Sequence, residues 1–172
     1  MFGQGGFDIV IGNPPYIQLQ KLGKDADELE KAGYESFART GDIYGLFYEQ
    51  GINLLKKDGV LTYITSNKWM KAGYGQTLRQ YFLKHSNPLK LIDFGGYQVF
   101  ENATVDTNIL IAQKGAYQNK TLTCILNNGL DSLRNISDFC QHNAVPTSFG
   151  NPEVGGVCLS SAEARIKQSI EE

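Results

Sequence analysis

Cysteine is scarce in this sequence, occurring only as Cys124, Cys140 and Cys158. An odd number at wide spacing does not build a disulfide framework or a thiolate metal cluster, and it fits free thiols in a reducing compartment. No apolar run approaches the roughly 20 residues that a membrane-crossing helix needs. The N-terminus has neither the basic region nor the apolar core of a secretory signal. The expected location is the cytoplasm, with no membrane partner. Charge of one sign is lacking too: 16 Lys and Arg against 18 Asp and Glu leave a formal net charge of -2. Such a chain has no overall field that draws it to nucleic acid, so any contact with DNA rests on local lysine and arginine clusters. Internal repeats and low-complexity tracts are absent as well.

What is present is an ordinary globular composition, 41% hydrophobic and 20% charged over 172 residues, enough for one domain with a real core. Strands alternate with helical segments. Phe7 to Ile11 is a short apolar run closed by Gly12 and reads as a buried strand. "DIYGLFYEQGINLLKK", Asp42 to Lys57, places Ile43, Leu46, Phe47, Leu54 and Leu55 on one helical face. Asp42 is the expected N-cap, Asp58-Gly59 the stop, and Lys56 and Lys57 suit the dipole of the last turn. "VLTYIT", Val60 to Thr65, predicts a second buried strand, so that strand, helix and strand form a crossover in a parallel sheet. A helix from about Gln76 to Lys84 and a strand at Leu89 to Phe94 follow. Val105 to Lys114 comes too soon after that strand for a crossover helix, which makes the two strands antiparallel neighbours.

Two regions are less regular. Leu19 to Thr40 is polar, and only "ADELEKAG" within it looks helical. It is either a solvated surface helix or an insertion lying over the ligand crevice of an open α/β sheet. Past Lys114 the pattern weakens, "FGNPEVGG" reads as loop, and a capping box of Ser160 and Glu163 opens a final helix.

Between the first strand and the polar region stands "NPPY", Asn13 to Tyr16. An exocyclic amine on an aromatic base is a poor nucleophile, because its lone pair is delocalised into the ring. It becomes competent when acceptors hold its hydrogens and the nitrogen moves toward a tetrahedral shape. The Asn13 side-chain oxygen and the Pro14 carbonyl are two such acceptors. Pro14 and Pro15 limit the freedom of the turn and add no competing donors, which keeps the acceptors preorganised. Tyr16 offers a face for a planar base swung out of a duplex. The constellation suits a planar group bearing an amine.

"GGFDIVIGNPPYI" closely resembles motif IV of the amino-methyltransferases that use S-adenosylmethionine, in the form typical of adenine-specific DNA methyltransferases. "DIYGLFYEQGINLLKKDGVLTYITSNKWMKAGYGQTLRQYF" resembles the helix, strand, lysine-containing turn and arginine-bearing helix that follow it in that family. "VFENATVDTNILIAQK" resembles motif VIII. The resemblance runs from Gly5 to Lys114 and is strongest to the type IIG restriction-modification polypeptides, in which methyltransferase and endonuclease share one chain.

The resemblance implies a Rossmann-like α/β methyltransferase fold, here strands four to seven with an antiparallel last hairpin. Double-stranded DNA with a flipped adenine is the implied substrate. Carried over by position, Asn13 and Pro14 would hold the adenine amine, with Pro15 stiffening the turn. Tyr16 would stack on the base and Phe100 would touch its edge or other face. Phe47 would pack on the adenine of the cofactor, with Asn13 also near it, although core packing explains an aromatic on that helix face equally well. Lys68, Lys71 and Arg79 would meet DNA phosphates, or else are solvated surface.

Departures from the family pattern matter too. The glycine-rich cofactor loop and its acidic ribose ligand precede this strand in the family, and "FGQGG" opens no helix that could serve as that loop. The expectation is a fragment with an incomplete cofactor site. Residues 1–115 form the C-terminal half of a catalytic domain, 116–172 lead toward a target-recognition domain, and the N-terminal half of the same polypeptide is the partner. Such a split sheet exposes an apolar edge and face. Two other readings compete: a methyltransferase acting on a protein glutamine amide, which uses the same turn, and a non-catalytic fragment that needs a partner half.

Overall fold

The computed structural model describes residues 5–100, 105–126, 134–147 and 149. Its elements are β1 (Phe7–Gly12), α1 (Lys24–Lys31), α2 (Tyr44–Leu54), β2 (Leu55–Ser66), α3 (Gln76–His85), β3 (Ser86–Asp93), β4 (Thr107–Lys114), β5 (Thr121–Ile125), α4 (Ile136–Asn143) and β6 (Val145–Thr147). Short 3-10 turns lie at Leu19–Leu22, Asn67–Met70 and Gly73–Gly75. The strands form one sheet in the order β1-β2-β4-β3-β5-β6. β1 and β2 are parallel, as the crossover through α2 requires. β4 lies antiparallel between β2 and β3, so the hairpin inferred from the short connection is present.

β5 runs parallel to β3, and β6 closes that edge antiparallel to β5. These two short strands and α4 continue the sheet past Lys114, where the sequence pattern carries no clear period. The expected helix from Ser160, and "FGNPEVGG" apart from Phe149, lie outside the described residues. No helix among the described residues is long and apolar enough to cross a membrane.

Strand alternation divides the apolar side chains between two faces. On one face Leu61, Tyr63, Leu91, Leu110 and Ala112 pack under α2 and α3 against Tyr48, Trp69 and Phe82, with Val10 of β1 at the margin. On the other, Ile92, Cys124, Leu126 and Cys140 form a smaller core beneath α4, with Ile64 and Ile109 beside it. In the β1–β2 register Ile9 and Ile11 stand opposite Val60 and Thr62, so they point to this second face. There they remain 66% and 78% exposed, and Phe7 is 42% exposed, so the strand read as buried is instead an exposed edge strand, with only Val10 turned toward the main core. The apolar edge and face expected of a split sheet are therefore present, beside β1.

The helix inferred from Asp42 to Lys57 needs correction at both ends and in its face. Ile43 is the N-cap and no side chain caps this end, so Asp42 does not. The Asp42 carboxylate instead accepts from the Tyr74 hydroxyl at 3.4 Å, and its backbone bridges to Gln18. At the C-terminal end α2 stops at Leu54, because Leu55 pairs with Phe7 and begins β2. Lys56 and Lys57 consequently lie on the strand, where Lys56 pairs with Asp8. The chain then bulges through Asp58, in left-handed conformation at φ 64°, and Gly59, where a Cβ would sit 2.8 Å from the Phe7 carbonyl oxygen.

The buried face of α2 is the Tyr44, Tyr48 and Ile52 stripe, whereas Phe47 and Leu54 are 40% and 42% exposed. The rings of Tyr44 and Tyr48 bury on this face in place of the expected aliphatic and Phe residues, and the Tyr48 hydroxyl is satisfied inside by a 2.9 Å hydrogen bond shared with Thr65.

Candidate active site

The C-terminal ends of the parallel strands converge at one end of the sheet, where open α/β folds build their ligand crevices. β1 delivers Asn13 there, β2 delivers Ser66 and Lys68, and β3 delivers the connection that carries Phe100 and Val105. A cleft of about 270 Å³ opens at this end of the sheet, and Asn13, Pro14 and Pro15 do not line it. Tyr16, Gln18, Lys21, Asp42, Ser66 and Lys68 line it, with Val105 from the β3–β4 connection.

The turn after β1 is held from both sides. Pro14 is buried, whereas Asn13 and Pro15 are exposed. The half-buried Tyr16 ring meets Tyr44 edge-on, with centroids 6.3 Å apart and planes at 78°. The Tyr16 hydroxyl donates to Asn13 Oδ1 at 3.1 Å. Burial raises the pKa of Tyr16 above the ordinary phenol value, so its hydroxyl keeps the proton that it donates. The residues just beyond are stitched to the entrance of α2. Ile43 N donates to the Ile17 carbonyl at 2.8 Å, and Leu19 N to the Gly41 carbonyl at 2.9 Å.

The lysine-bearing turn after β2 is equally fixed. Lys68 N donates to Ser66 Oγ at 3.3 Å, and Asn67 N to the Asp106 carbonyl at 2.9 Å. Asp93 ties this turn to the end of β3: its Oδ1 accepts from Asn67 Nδ2 and from Gly95 N, each at 3.1 Å. Gly75 is required below, because a Cβ there would fall 2.0 Å from the Trp69 carbonyl oxygen.

Arg79 departs from the phosphate contact offered for it. Its side chain is buried, and Nη1 donates to the Trp69 carbonyl at 2.6 Å and the Ala72 carbonyl at 3.1 Å. Burial pulls its pKa below the usual guanidinium value. The charge serves the segment joining the 3-10 turns at Asn67–Met70 and Gly73–Gly75 rather than solvent, since these carbonyls lie outside the strand ladder and need a donor.

The other sequence-derived candidates are distributed unevenly. Lys68 shares the cleft with Tyr16; Lys71 is exposed and does not line it. Phe100 is half-buried on the β3–β4 connection outside the cleft lining, and its carbonyl accepts from Gln98 Nε2 at 3.1 Å. Phe47 lies away from the cleft, lining an apolar hollow of about 130 Å³ with Leu29, Tyr34, Ile43, Leu46 and Gln50. Leu29 and the buried Ala26 show that α1 packs through one face. Lys21 and Asp42 of the cleft escaped sequence reasoning; a lysine five positions beyond Tyr16 in a polar stretch carries no pattern. Neither Lys21 nor Lys68 forms an ion pair among the described residues, whereas Lys31, Lys56 and Lys84 do. Among the described residues no cluster of His, Cys, Asp or Glu could hold a metal ion.

Comparison with known proteins gives this end of the sheet a context. The Eco57I restriction-modification methylase family matches residues 1–100. The type II restriction enzyme and methyltransferase RM.Eco57I of Escherichia coli is 36% identical over 117 residues, covering 66% of this chain and 12% of the relative. The type II methyltransferase M.BstVI of Geobacillus stearothermophilus is 24% identical over 143 residues, covering 81% of this chain and 26% of the relative. The chain thus spans about a quarter or less of the length of these two relatives. Among solved structures, the type IIG restriction endonuclease BpuSI superimposes with a TM-score of 0.66 at 14% identity, over 95% of this chain and 22% of that one. At that identity the likeness concerns the fold.

Proposed function

The chain belongs to the Eco57I restriction-modification methylase family, and from that premise we propose that it is the base-holding half of a DNA adenine-N6 methyltransferase domain. One arrangement carries this reading: two acceptors, Asn13 and Pro14, stand at the end of β1 beside an aromatic ring that faces a cleft with lysines on its walls. The Asn13 side-chain oxygen and the Pro14 carbonyl accept the two hydrogens of an adenine amine, localising its lone pair on nitrogen. Pro15 keeps the turn stiff. Tyr16 stacks on the flipped base and returns part of the lost stacking energy, about 1–3 kcal/mol for one base on an aromatic ring. Phe100 approaches the base from the β3–β4 connection. Lys68, and with it Lys21, meet the phosphates beside the cleft, with Lys71 farther along the strand.

The cofactor is S-adenosylmethionine, which supplies an electrophilic methyl group on a sulfonium. The residues present suit part of it: the exposed Phe47 ring, beside a hollow lined by apolar side chains, is of the right character for the cofactor's adenine, and Asn13, directly after β1, would lie near the transferred methyl group. The remaining surface belongs to the N-terminal half of the same polypeptide, whose strands cover Ile9 and Ile11 and complete the sheet beside β1. Residues 116–172 lead toward a target-recognition domain, and the whole acts on double-stranded DNA in the cytoplasm.

The test is methyl transfer by the full-length polypeptide, measured on duplex DNA and on protein substrates. Asn13→Ala is expected to lower the rate on adenine by at least about 10²–10³-fold, the usual loss for one preorganised polar group. Wild-type activity in that variant would remove the turn from the mechanism. Transfer to a glutamine amide but not to DNA would select a protein substrate, and no transfer to either would leave a non-catalytic fold.

A further inference from the structure

We propose that the Tyr16 hydroxyl is a positioning group for Asn13, a role separate from the stacking surface of its ring and resting on the reading of the turn as an amine holder. A carbonyl-type oxygen has two lone pairs. In this structure one lone pair of Asn13 Oδ1 receives the Tyr16 hydroxyl at 3.1 Å, which leaves the second for an incoming amine hydrogen.

Asn13 is exposed and has no other side-chain hydrogen bond among the described residues, so without Tyr16 its amide would rotate freely and offer oxygen or nitrogen to the cleft. Tyr16 can set that orientation because its own ring is set. It is half-buried, packs against the main core, and meets the 1%-exposed Tyr44 edge-on. The proline pair fixes the backbone between the two residues, and the hydroxyl fixes the amide. Order is thus transmitted from Tyr44 in the core through the Tyr16 ring and hydroxyl to the acceptor oxygen.

Because stacking uses the ring and positioning uses the hydroxyl, Tyr16→Phe separates them. In the full-length enzyme this variant should keep the KM for DNA and the fluorescence rise of 2-aminopurine placed at the target adenine, since the stacking face is intact. The single-turnover rate of methyl transfer should fall about 5- to 10-fold, the loss expected for one net hydrogen bond. Asn13→Ala/Tyr16→Phe should be no slower than Asn13→Ala alone, because the hydroxyl acts through Asn13.

A single-turnover rate in Tyr16→Phe equal to wild type, alongside an inactive Asn13→Ala, would overturn the positioning role and leave the amine-holder reading standing. A slow Tyr16→Phe beside an active Asn13→Ala would overturn both. Equal additional loss from Tyr16→Phe in the Asn13→Ala background would show that the hydroxyl acts on something other than Asn13.

Discussion

The two faces of the sheet differ sharply in how they end at β1. Under α2 and α3, Tyr48, Trp69 and Phe82 reach zero exposure, and even the hydroxyl of Tyr48 finds a partner in Thr65. On the opposite face the core beneath α4 covers Ile92 and Cys124, but the side chains of β1 stand in solvent, Ile11 at 78%. Fully burying an isoleucine contributes roughly 1.5–3 kcal/mol, so leaving two uncovered forgoes a sizeable part of a domain's stability. The closed face accounts for how this chain folds; the open one leaves an apolar strip beside β1 uncovered. The Asn13 turn sits at the junction, anchored through Tyr16 to the closed side and issuing from the strand that borders the open side.

Substitution on the two faces should expose the contrast. The largest effect is expected at Phe82, whose ring meets Tyr48 at 5.1 Å and Trp69 at 5.3 Å, both edge-on. Phe82→Ala should lower the stability of the chain by about 3–5 kcal/mol in urea unfolding. Ile11→Ala should change it by no more than about 0.5 kcal/mol, the range of a surface substitution, and should reduce self-association in sedimentation. If Ile11→Ala proved as costly as Phe82→Ala, the second face would be covered in the isolated chain, and the asymmetry would vanish.

A smaller effect belongs to the rim of the closed side. Glu35 accepts from Lys84 Nζ at 2.7 Å and from His85 Nε2 at 3.0 Å. These partners, Lys84 first, hold its carboxyl below the ordinary glutamate pKa of 4.5. A depressed folded-state pKa contributes stability above the unfolded value and loses it as pH falls through the folded value. The stability difference between wild type and Glu35→Gln should therefore be present at pH 7 and close below about pH 4.5, followed by circular dichroism. A difference independent of pH would show that the ion cluster does not contribute.

Much of this was legible in the sequence because local signals agreed with tertiary needs. The apolar run into "NPPY" predicted the strand β1 and its turn, though not that the strand lies at an exposed edge, and the short link before Val105 predicted the β3–β4 hairpin. Of the residues that the family resemblance singled out, Tyr16 and Lys68 line one cleft, whereas Asn13, Pro14 and Pro15 do not line it. The misreadings share a cause: tertiary demands on residues whose types mislead. Tyr44 and Tyr48 look amphipathic yet form the buried stripe of α2. Lys56 and Lys57 look like helix-ending residues, yet pairing of Leu55 with Phe7 begins the strand first. Arg79 looks like a phosphate ligand, yet the carbonyls of Trp69 and Ala72 need its donors. Lys21 reaches the cleft only because the backbone bonds from Ile17 and Leu19 fold the post-motif segment against the entrance of α2, a closure no local pattern encodes.

On the proposed function, this chain would hold the base, and S-adenosylmethionine would bind only when further polypeptide covers the open face. Calorimetric titration of S-adenosylmethionine tests it most directly, on the 172-residue chain and on the polypeptide extended upstream. Saturable binding is expected for the extended polypeptide alone. Tight binding by the short chain would contradict the claim.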